Sequence, residues 1–530
     1  MEVIHLADKL WRLDTVLVLV CVYIFHVTAH KLYQLFIYPY YVSPLRHLPG
    51  PKDHHFLIGQ VLNQFRGGSP NEPFVSWMRR WPRAPLIRFF DVGNLDALLV
   101  TGLAAHKEIL GDKAYSFQKP PFFIRLVGDV IGYGLGLAEG DDHKKQRKTL
   151  GLLFSPSNLK ELIPLLRRKA QRLSSHFERI IDTEDGVAEV ISLYSNITLE
   201  IMAVFALGVE LDDIEYSDAF DTSFHDCYTE LFEPDRFGQV LMALNTVVPI
   251  RWLPVPANWR FKHANMMIRR QISSIMKDRI QAVAASKAAG TTNNSETIKD
   301  FLTFMISEKY FSEPDRWSED DILAQILTFL AAGHQTTADA LVWATQMMIE
   351  HPDETKRLRA EINGLLSQKP FTELQQRDVE SLPFLNNFMR EVLRVHCPGV
   401  NVARQASEDV VVQGVRIPKG TTVVMQPVII QRNPTIWGQD CDEFRPDRWE
   451  HLEGEAADPW AFAAFSHGPR VCIGKAMTVL EFKLIMIELV TKFEFEGMDD
   501  RKAHDIRLIN PSPMYRPDGG LRVRVRRTQE

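Results

Sequence analysis

A long uncharged stretch lies near the N-terminus. From Thr15 to His30 no side chain carries a formal charge, and the run from Val16 to Phe25 is strongly apolar. A helix that spans a bilayer needs about 20 apolar residues. Leu32 to Tyr41 stays apolar and aromatic, and Lys31 between the two runs can snorkel to the interface. Residues 15–41 are therefore predicted as a membrane anchor behind a leader of residues 1–14. No small-residue cleavage site follows, which argues against a secretory signal peptide. Prolines at 44, 49 and 51 then mark residues 42–52 as a stiff basic hinge. Its Arg46 and Lys52 favour the cytoplasmic side, while Lys9 and Arg12 pull the other way. Residues 53–530 form the body.

Within the body the hydrophobic period changes several times. Pro85 to Leu99 is apolar and β-branched around a Gly-Asn turn and predicts a small sheet. Lys113 to Gly140 reads as irregular, rich in aromatic residues and glycine, and its Gly132–Gly136 run lacks the strand–Gly-x-Gly-x-x-Gly–helix order of a dinucleotide site. Asp142 to Lys148 opens a helix with a basic face, and Leu159 to Ala289 reads as helices joined by short loops. Within that region, Leu231 to Pro256 is broken by prolines at 234, 249, 254 and 256. Ala284 to Glu296 is small and polar and predicts a flexible loop. The longest helical pattern starts at Ser318, an N-cap followed by Glu319, Asp320 and Asp321, and runs to about Glu350 before Pro352. Val410 to Ile430 predicts short strands, and Ala476 to Val490 a strongly apolar helix.

With 530 residues and no linker, repeat or change of class, one large domain fits better than the several that length alone suggests. The net charge of −6 carries no signal for nucleic acid. Five scattered cysteines argue against a disulfide framework and for a reducing compartment.

Chemistry concentrates at a few positions. Cys472 stands in a Gly- and Pro-rich turn, Phe465-Ser-His-Gly-Pro-Arg-Val-Cys-Ile-Gly474, with no second ligand at zinc spacing. Such a cysteine is usually a small buried hydrophobe; a single thiolate can instead hold one axial position of a haem iron. The long helix carries Ala331-Ala-Gly-His-Gln-Thr-Thr337 at its centre. An interior glycine costs about 1 kcal/mol there relative to alanine, and a small-polar patch in an apolar helix marks a functional site. Read blandly, the same patch is a Ser/Thr back-bonding kink. Glu391 and Arg394 lie at i,i+3 within an apolar segment, where an unpaired charge would be costly.

Phe465, Gly468, Arg470, Cys472 and Gly474 stand as in the haem-binding loop of the cytochrome P450 family, which the chain resembles from Pro49 onward. The resemblance implies a mostly α-helical P450 fold with small sheets, and haem b lying between the Thr336 helix and a Cys472 thiolate. It implies that Thr336 hydrogen-bonds dioxygen or its water and that Gly333 leaves room for both, while Gln335 replaces the family's acid and cannot act as a carboxylic acid. His143 and Arg147 occupy the places of the family's propionate-binding Trp and Arg, and Arg404 that of another propionate arginine. Glu391 and Arg394, closed by Arg448, match a structural triad. Phe122, Phe123, Ile124, Val400, Asn401 and Val402 fall where family members line the substrate cavity.

The function implied is a monooxygenase acting on a lipophilic scaffold, with a fungal microsomal texture that points to terpenoid or polyketide tailoring. No flavin or nicotinamide motif is present, so NADPH-derived electrons are expected from a separate NADPH–cytochrome P450 reductase, with cytochrome b5 as an alternative donor. The expected location is the endoplasmic reticulum membrane, with the body in the cytosol. Two other readings stay open: a haem-thiolate isomerase, dehydratase or desaturase, which Gln335 favours and Thr336 disfavours, and a non-catalytic haem-binding protein.

Overall fold

The computed structural model describes the chain apart from residues 1, 70, 184, 212–222, 233, 289–299, 310–316, 400–401, 510–513 and 529–530. Helix α1 spans Glu2–Leu32 and continues as a π-helical segment, Tyr33–Val42. Together, Thr15–Val42 is long and apolar enough to cross a membrane, and none of its most apolar window is buried. The body follows with strands β1 (Leu86–Phe90), β2 (Asp96–Val100) and β3 (Phe117–Gln118), then helices α2 (Pro121–Ile131), α3 (Gly140–Leu150) and α4 (Pro156–Thr183). Strand β4 (Val187–Glu189) leads into α5 (Val190–Leu207), and the long helices α6 (Pro256–Ala288) and α7 (Glu319–Glu350) come next, followed by α8 (Pro383–Val395). Strands β5 (Ala403–Ala406), β6 (Val410–Val412), β7 (Val415–Ile417) and β8 (Thr422–Val424) precede α9 (Lys475–Lys492), β9 (Phe493–Gly497) and β10 (Arg522–Arg527).

The helices pack around α7, which is buried along most of its length. Ser318 and Asp321 form a capping box, the Ser318 Oγ accepting from the Asp321 N–H at 3.0 Å and the Asp321 carboxylate accepting from the Ser318 N–H at 2.8 Å. Pro352, just past the C-cap at His351, stops the helix. α5 also passes the length and hydropathy test for a membrane span, but it is largely buried against α7 and is a core helix. A five-stranded sheet in the order β1-β2-β8-β5-β3 forms a second layer, with β2 and β8 parallel and the remaining pairs antiparallel. It brings β3 and β5, the strands carrying Lys119 and Arg404 at or beside their ends, next to one another, with Phe117 opposite Ala406.

The hinge is stitched to this sheet. The Arg88 N–H donates to the Pro49 carbonyl at 2.8 Å, Ser43 Oγ donates to Asp96 at 2.5 Å, and Asn94 Nδ2 donates to the Leu35 carbonyl at 3.1 Å. The end of the anchor thus rests on β1 and β2.

Three local expectations change. Residues 113–140 are not irregular throughout: α2 occupies 121–131, started by Pro121 with its fixed φ and packed through Phe123, Ile124 and Val127. Residues 284–288 continue α6, and the rest of the expected loop lies outside the described residues. Ile430 belongs to a short helix, Pro427–Gln431, so the strands end at Val424. None of the five cysteines is in a disulfide.

Candidate active site

The Cys472 turn closes on itself. The Cys472 N–H donates to the Phe465 carbonyl at 2.8 Å, and Lys475 Nζ lies 5.7 Å from the centre of the Phe465 ring. Gly468 has a φ of 68° and lies against the Leu110 carbonyl, so a side chain there would strike backbone. Gly474 caps the start of α9, where a Cβ would make only ordinary contacts with Phe154 and the Cys472 sulfur. Cys472 is enclosed by the body yet accessible, because it opens onto an internal cavity of about 390 Å³. Burial pushes the thiol pKa up, opposed by the N–H groups of Gly474 and Lys475 and by the charge of Arg147.

The facing wall comes from the middle of α7. Ala332 is exposed, and Gly333 and Thr336 are partly so, although the helix around them is buried. All three line the cavity. The Thr336 hydroxyl donates to the Ala332 carbonyl at 2.8 Å and that of Thr337 to the Gly333 carbonyl at 3.0 Å, which satisfies both locally. A Cβ at Gly333 would collide with the Met202 side chain of α5, so the glycine's immediate consequence is the close seating of Met202. Gln335 is buried and does not line the cavity. His334 faces a separate cleft of about 120 Å³ with Ser195 and Tyr228, its ring edge-on to Tyr228 at 5.1 Å between centroids.

Cations crowd one end of the cavity. His143 and Arg147 on α3, Arg404 on β5, Arg470 and Lys119 all line it. Arg404 donates to its neighbour's carbonyl, Ala403, at 2.9 Å. Burial, and then the charge of Arg470, pull its pKa down to about 10. Burial and the charges of Arg470, Lys119 and Arg147 hold His143 down at about 4, so its ring is neutral at pH 7. Its Nδ1 lies 3.2 Å from the Tyr115 hydroxyl. Glu139 pairs with Arg470, and its Oε1 also receives the Lys119 ammonium at 3.0 Å and the Lys119 N–H at 2.8 Å. Among the described residues, no other carboxylate forms an ion pair with this group.

Away from the cavity, Glu391 is fully buried and saturated. It accepts two bonds from Arg394 at 2.8 Å each, one from Arg448 Nε at 3.2 Å, one from Trp449 Nε1 at 3.0 Å and one from the Arg445 N–H at 2.9 Å. Arg394 spends its remaining donors on the carbonyls of Gln431, Cys441 and Glu443. This network ties α8 to the segment that leads to the Cys472 turn.

The model of the cytochrome P450 family matches residues 49–516. The chain belongs to the cytochrome P450 family. It is 31% identical over 480 residues to the cytochrome P450 monooxygenase sphH of Aspergillus fumigatus, covering 88% of this chain and 86% of that one. With the cytochrome P450 monooxygenase FUM15 of Gibberella moniliformis it shares 29% identity, over 95% of this chain and 92% of the relative. The crystal structure of the cytochrome P450DA heme domain superposes with a TM-score of 0.73 at 21% identity, covering 91% of this chain and 98% of that one, and shows the same fold. This protein is a cytochrome P450 monooxygenase.

Membership of the P450 family implies haem, dioxygen and electrons delivered by a reductase. The donor set fits a haem: one accessible thiol opens onto the cavity, and the surplus of buried cations suits the cofactor's two carboxylates. Of the residues expected to touch substrate, Val402 lines the cavity, whereas Phe122 is exposed and Phe123 and Ile124 pack against the core from α2. Val400 and Asn401 lie outside the described residues. Sequence reading of this P450 missed Lys119, Glu139 and Glu481. Lys119, beside two prolines, reads as a loop lysine. Glu481 had a usable signal, a carboxylate inside an otherwise apolar helix.

Proposed function

We propose that this P450 inserts one oxygen atom of dioxygen into an unactivated carbon of a lipophilic scaffold, terpenoid or polyketide in origin, within a fungal secondary-metabolite pathway. A separate NADPH–cytochrome P450 reductase supplies the electrons, with cytochrome b5 as an alternative donor. Residues 15–41 anchor the enzyme in the endoplasmic reticulum membrane, residues 42–52 form the hinge, and the catalytic body of residues 53–530 faces the cytosol. The observation that carries the reading is that the Cys472 thiol and the Thr336 wall share one cavity.

When bound, haem supplies oxygen activation, which a thiolate ligand promotes by favouring O–O cleavage. Cys472 would hold its iron, and the Gly474 and Lys475 N–H groups would stabilise the thiolate. Gly468 docks the turn on Leu110, and the Phe465 carbonyl holds the Cys472 N–H. Arg147 and Arg404 would grip the carboxylates, His143 would offer a neutral ring, and Arg470, already committed to Glu139, would complete the positive edge. Thr336 holds a hydroxyl where water must be ordered, while Met202 and Phe329 keep the wall apolar. Glu391, Arg394 and Arg448 keep the approach to the Cys472 turn in register and take no part in the chemistry. Exposed Phe237, Val240, Leu244, Val248 and Trp252 form an apolar face through which a substrate can enter from the bilayer.

The test uses the full-length enzyme with reductase, NADPH and candidate terpenoid and polyketide scaffolds, with products read by mass spectrometry. Oxygenated product is expected only when dioxygen, reductase and NADPH are all present. Turnover that needs none of them would replace this reading by the isomerase or dehydratase one. Cys472→Ala is expected to abolish both product and the thiolate signature of the reduced carbon monoxide complex.

A further inference from the structure

Three stretches of chain line the cationic end of the cavity: Lys119 just past β3, His143 and Arg147 on α3, and Arg470 in the Cys472 turn. The first and the last of them meet at Glu139, which stands at the start of the second. Glu139 Oε1 accepts the Lys119 N–H at 2.8 Å and the Lys119 ammonium at 3.0 Å, and its Oε2 pairs with Arg470. The neighbouring Ala138 carbonyl takes one further bond from each cation, at 2.9 Å from Lys119 and 3.4 Å from Arg470. Glu139 itself does not line the cavity. Its carboxylate stands behind the cations, out of reach of a molecule bound in front of them.

This carboxylate forgoes a nearer task. Glu139 is the N-cap residue of α3, where a side-chain oxygen ordinarily bonds the first N–H groups of the helix, yet its side chain makes no such bond. The Lys119 and Arg470 side chains are 8% and 5% exposed. Without Glu139, the Ala138 carbonyl would be their one hydrogen-bond acceptor among the described residues. Glu139 and Ala138 occupy the two terminal nitrogens of Arg470, which fixes the plane of the guanidinium and leaves its buried Nε as the unmet donor. Glu139 also divides the four permanent cations. Lys119 and Arg470 arrive with a countercharge, whereas Arg147 and Arg404 pair with no carboxylate among the described residues and are left for the two that haem carries.

We propose that Glu139 is a positioning residue for the cofactor: it seats Arg470 and Lys119 and, from behind them, tempers their positive potential, so that its charge lowers the reduction potential of the iron. The proposal rests on the reading of this edge as the seat of the haem carboxylates. A cation beside a redox centre favours the reduced form and an anion disfavours it. Among buried groups that effect is weakly screened and reaches beyond direct contact. The step that Glu139 tunes is a one-electron transfer, in which no bond to Glu139 forms or breaks and no proton leaves it. Glu139 acts through Arg470 and Lys119 and touches neither cofactor nor substrate.

The experiment compares wild type, Glu139→Gln and Glu139→Asp as full-length haem-loaded enzymes. Redox titration measures the potential at pH 6, below the pKa of about 8 to which burial, opposed by Glu139, brings Lys119. Transfer to apomyoglobin measures haem retention. Glu139→Gln is expected to favour the reduced form by at least about threefold, a rise of about 28 mV at 59 mV per decade for one electron. It should also lose haem about tenfold faster, as the charged hydrogen bonds that seat Arg470 and Lys119 are lost. Glu139→Asp keeps the charge, so its potential should move less than half as far, with a loss rate between the other two. An unchanged or lower potential in Glu139→Gln overturns the proposal, and so does an equal rise in Glu139→Asp. A merely structural clamp would change retention and leave the potential alone. Should Glu139→Gln hold no haem, Lys119→Gln takes its place: removing a clamped cation is expected to favour the oxidised form by a similar factor, and an unmoved potential overturns the proposal. Wild type that lacks the thiolate signature of the reduced carbon monoxide complex sinks the haem reading instead.

Discussion

Around Glu391 every charge has its counterpart, whereas around Arg404 the cations outnumber the carboxylates. The first cluster sets Glu391 and Asp440 against Arg394 and Arg448 and spends the leftover donors on backbone carbonyls. It is closed to any further ligand. The second sets Lys119, Arg147, Arg404 and Arg470 near one carboxylate, Glu139, and turns them toward a cavity. Burial and the neighbouring cations, only partly offset by Glu139, lower the pKa of Lys119 to about 8 and that of Arg404 to about 10. A saturated network holds a fold together, and an unbalanced one facing a cavity is built to receive opposite charge.

The most forceful way to break the contrast is Glu391→Ala. It leaves Arg394 and Arg448 buried without their shared carboxylate, and loss of one partner of a buried pair costs about 3–5 kcal/mol. Since domains are stable by only about 5–15 kcal/mol, this variant is expected to yield little folded protein. Urea unfolding of apoprotein and the amount of soluble protein would check it. Apoprotein as stable as wild type would show that the network is dispensable.

Arg404→Leu should behave in the opposite sense. Removing one of several mutually repelling cations is expected to leave the apoprotein at least as stable as before. Haem retention should fall by roughly 10- to 100-fold, from the loss of a charged hydrogen bond of about 1.5–3 kcal/mol. Haem transfer to apomyoglobin measures the retention, and urea unfolding of the apoprotein measures the stability. Equal losses in both would erase the distinction between the two clusters.

The two clusters also differ in how far they could be read from the chain. Glu391 and Arg394 are three residues apart in an apolar segment, so their burial and pairing follow from local pattern. Cys472, Gly468 and Gly333 were visible because turn chemistry and helix propensity are local too. The partners of Arg470 were not visible. Glu139 is 331 residues away, and Lys119 meets it only because β3 pairs with β5 and α3 begins beside them. The misreading of residues 121–131 has a similar origin. The glycines after Ile131 dominated the local pattern, while the helix is secured by packing of Phe123 and Val127 onto distant elements. Phe122 and its neighbours consequently fall on the core side or the surface, away from the cavity wall.

Glu481 tests the contrast at its finest grain, because it belongs to neither cluster and has no charge to balance it. Its folded pKa of about 8 lies above the usual 4.5. Between those values the folded protein binds a proton that the unfolded chain has released. The stability tied to that proton is therefore complete below about pH 4.5 and drains away as the pH rises toward 8. The slope is at most about 1.4 kcal/mol per pH unit. Glu481→Gln has no such proton, so the stability difference between wild type and variant should shift in the variant's favour from pH 5.5 to 7.5. Urea midpoints of both proteins at several pH values would measure it. A difference that stays constant with pH would mean that Glu481 is ionised in the folded state, with a cation or water meeting it as Lys119 and Arg470 meet Glu139. A carboxylate of that kind belongs with the saturated networks.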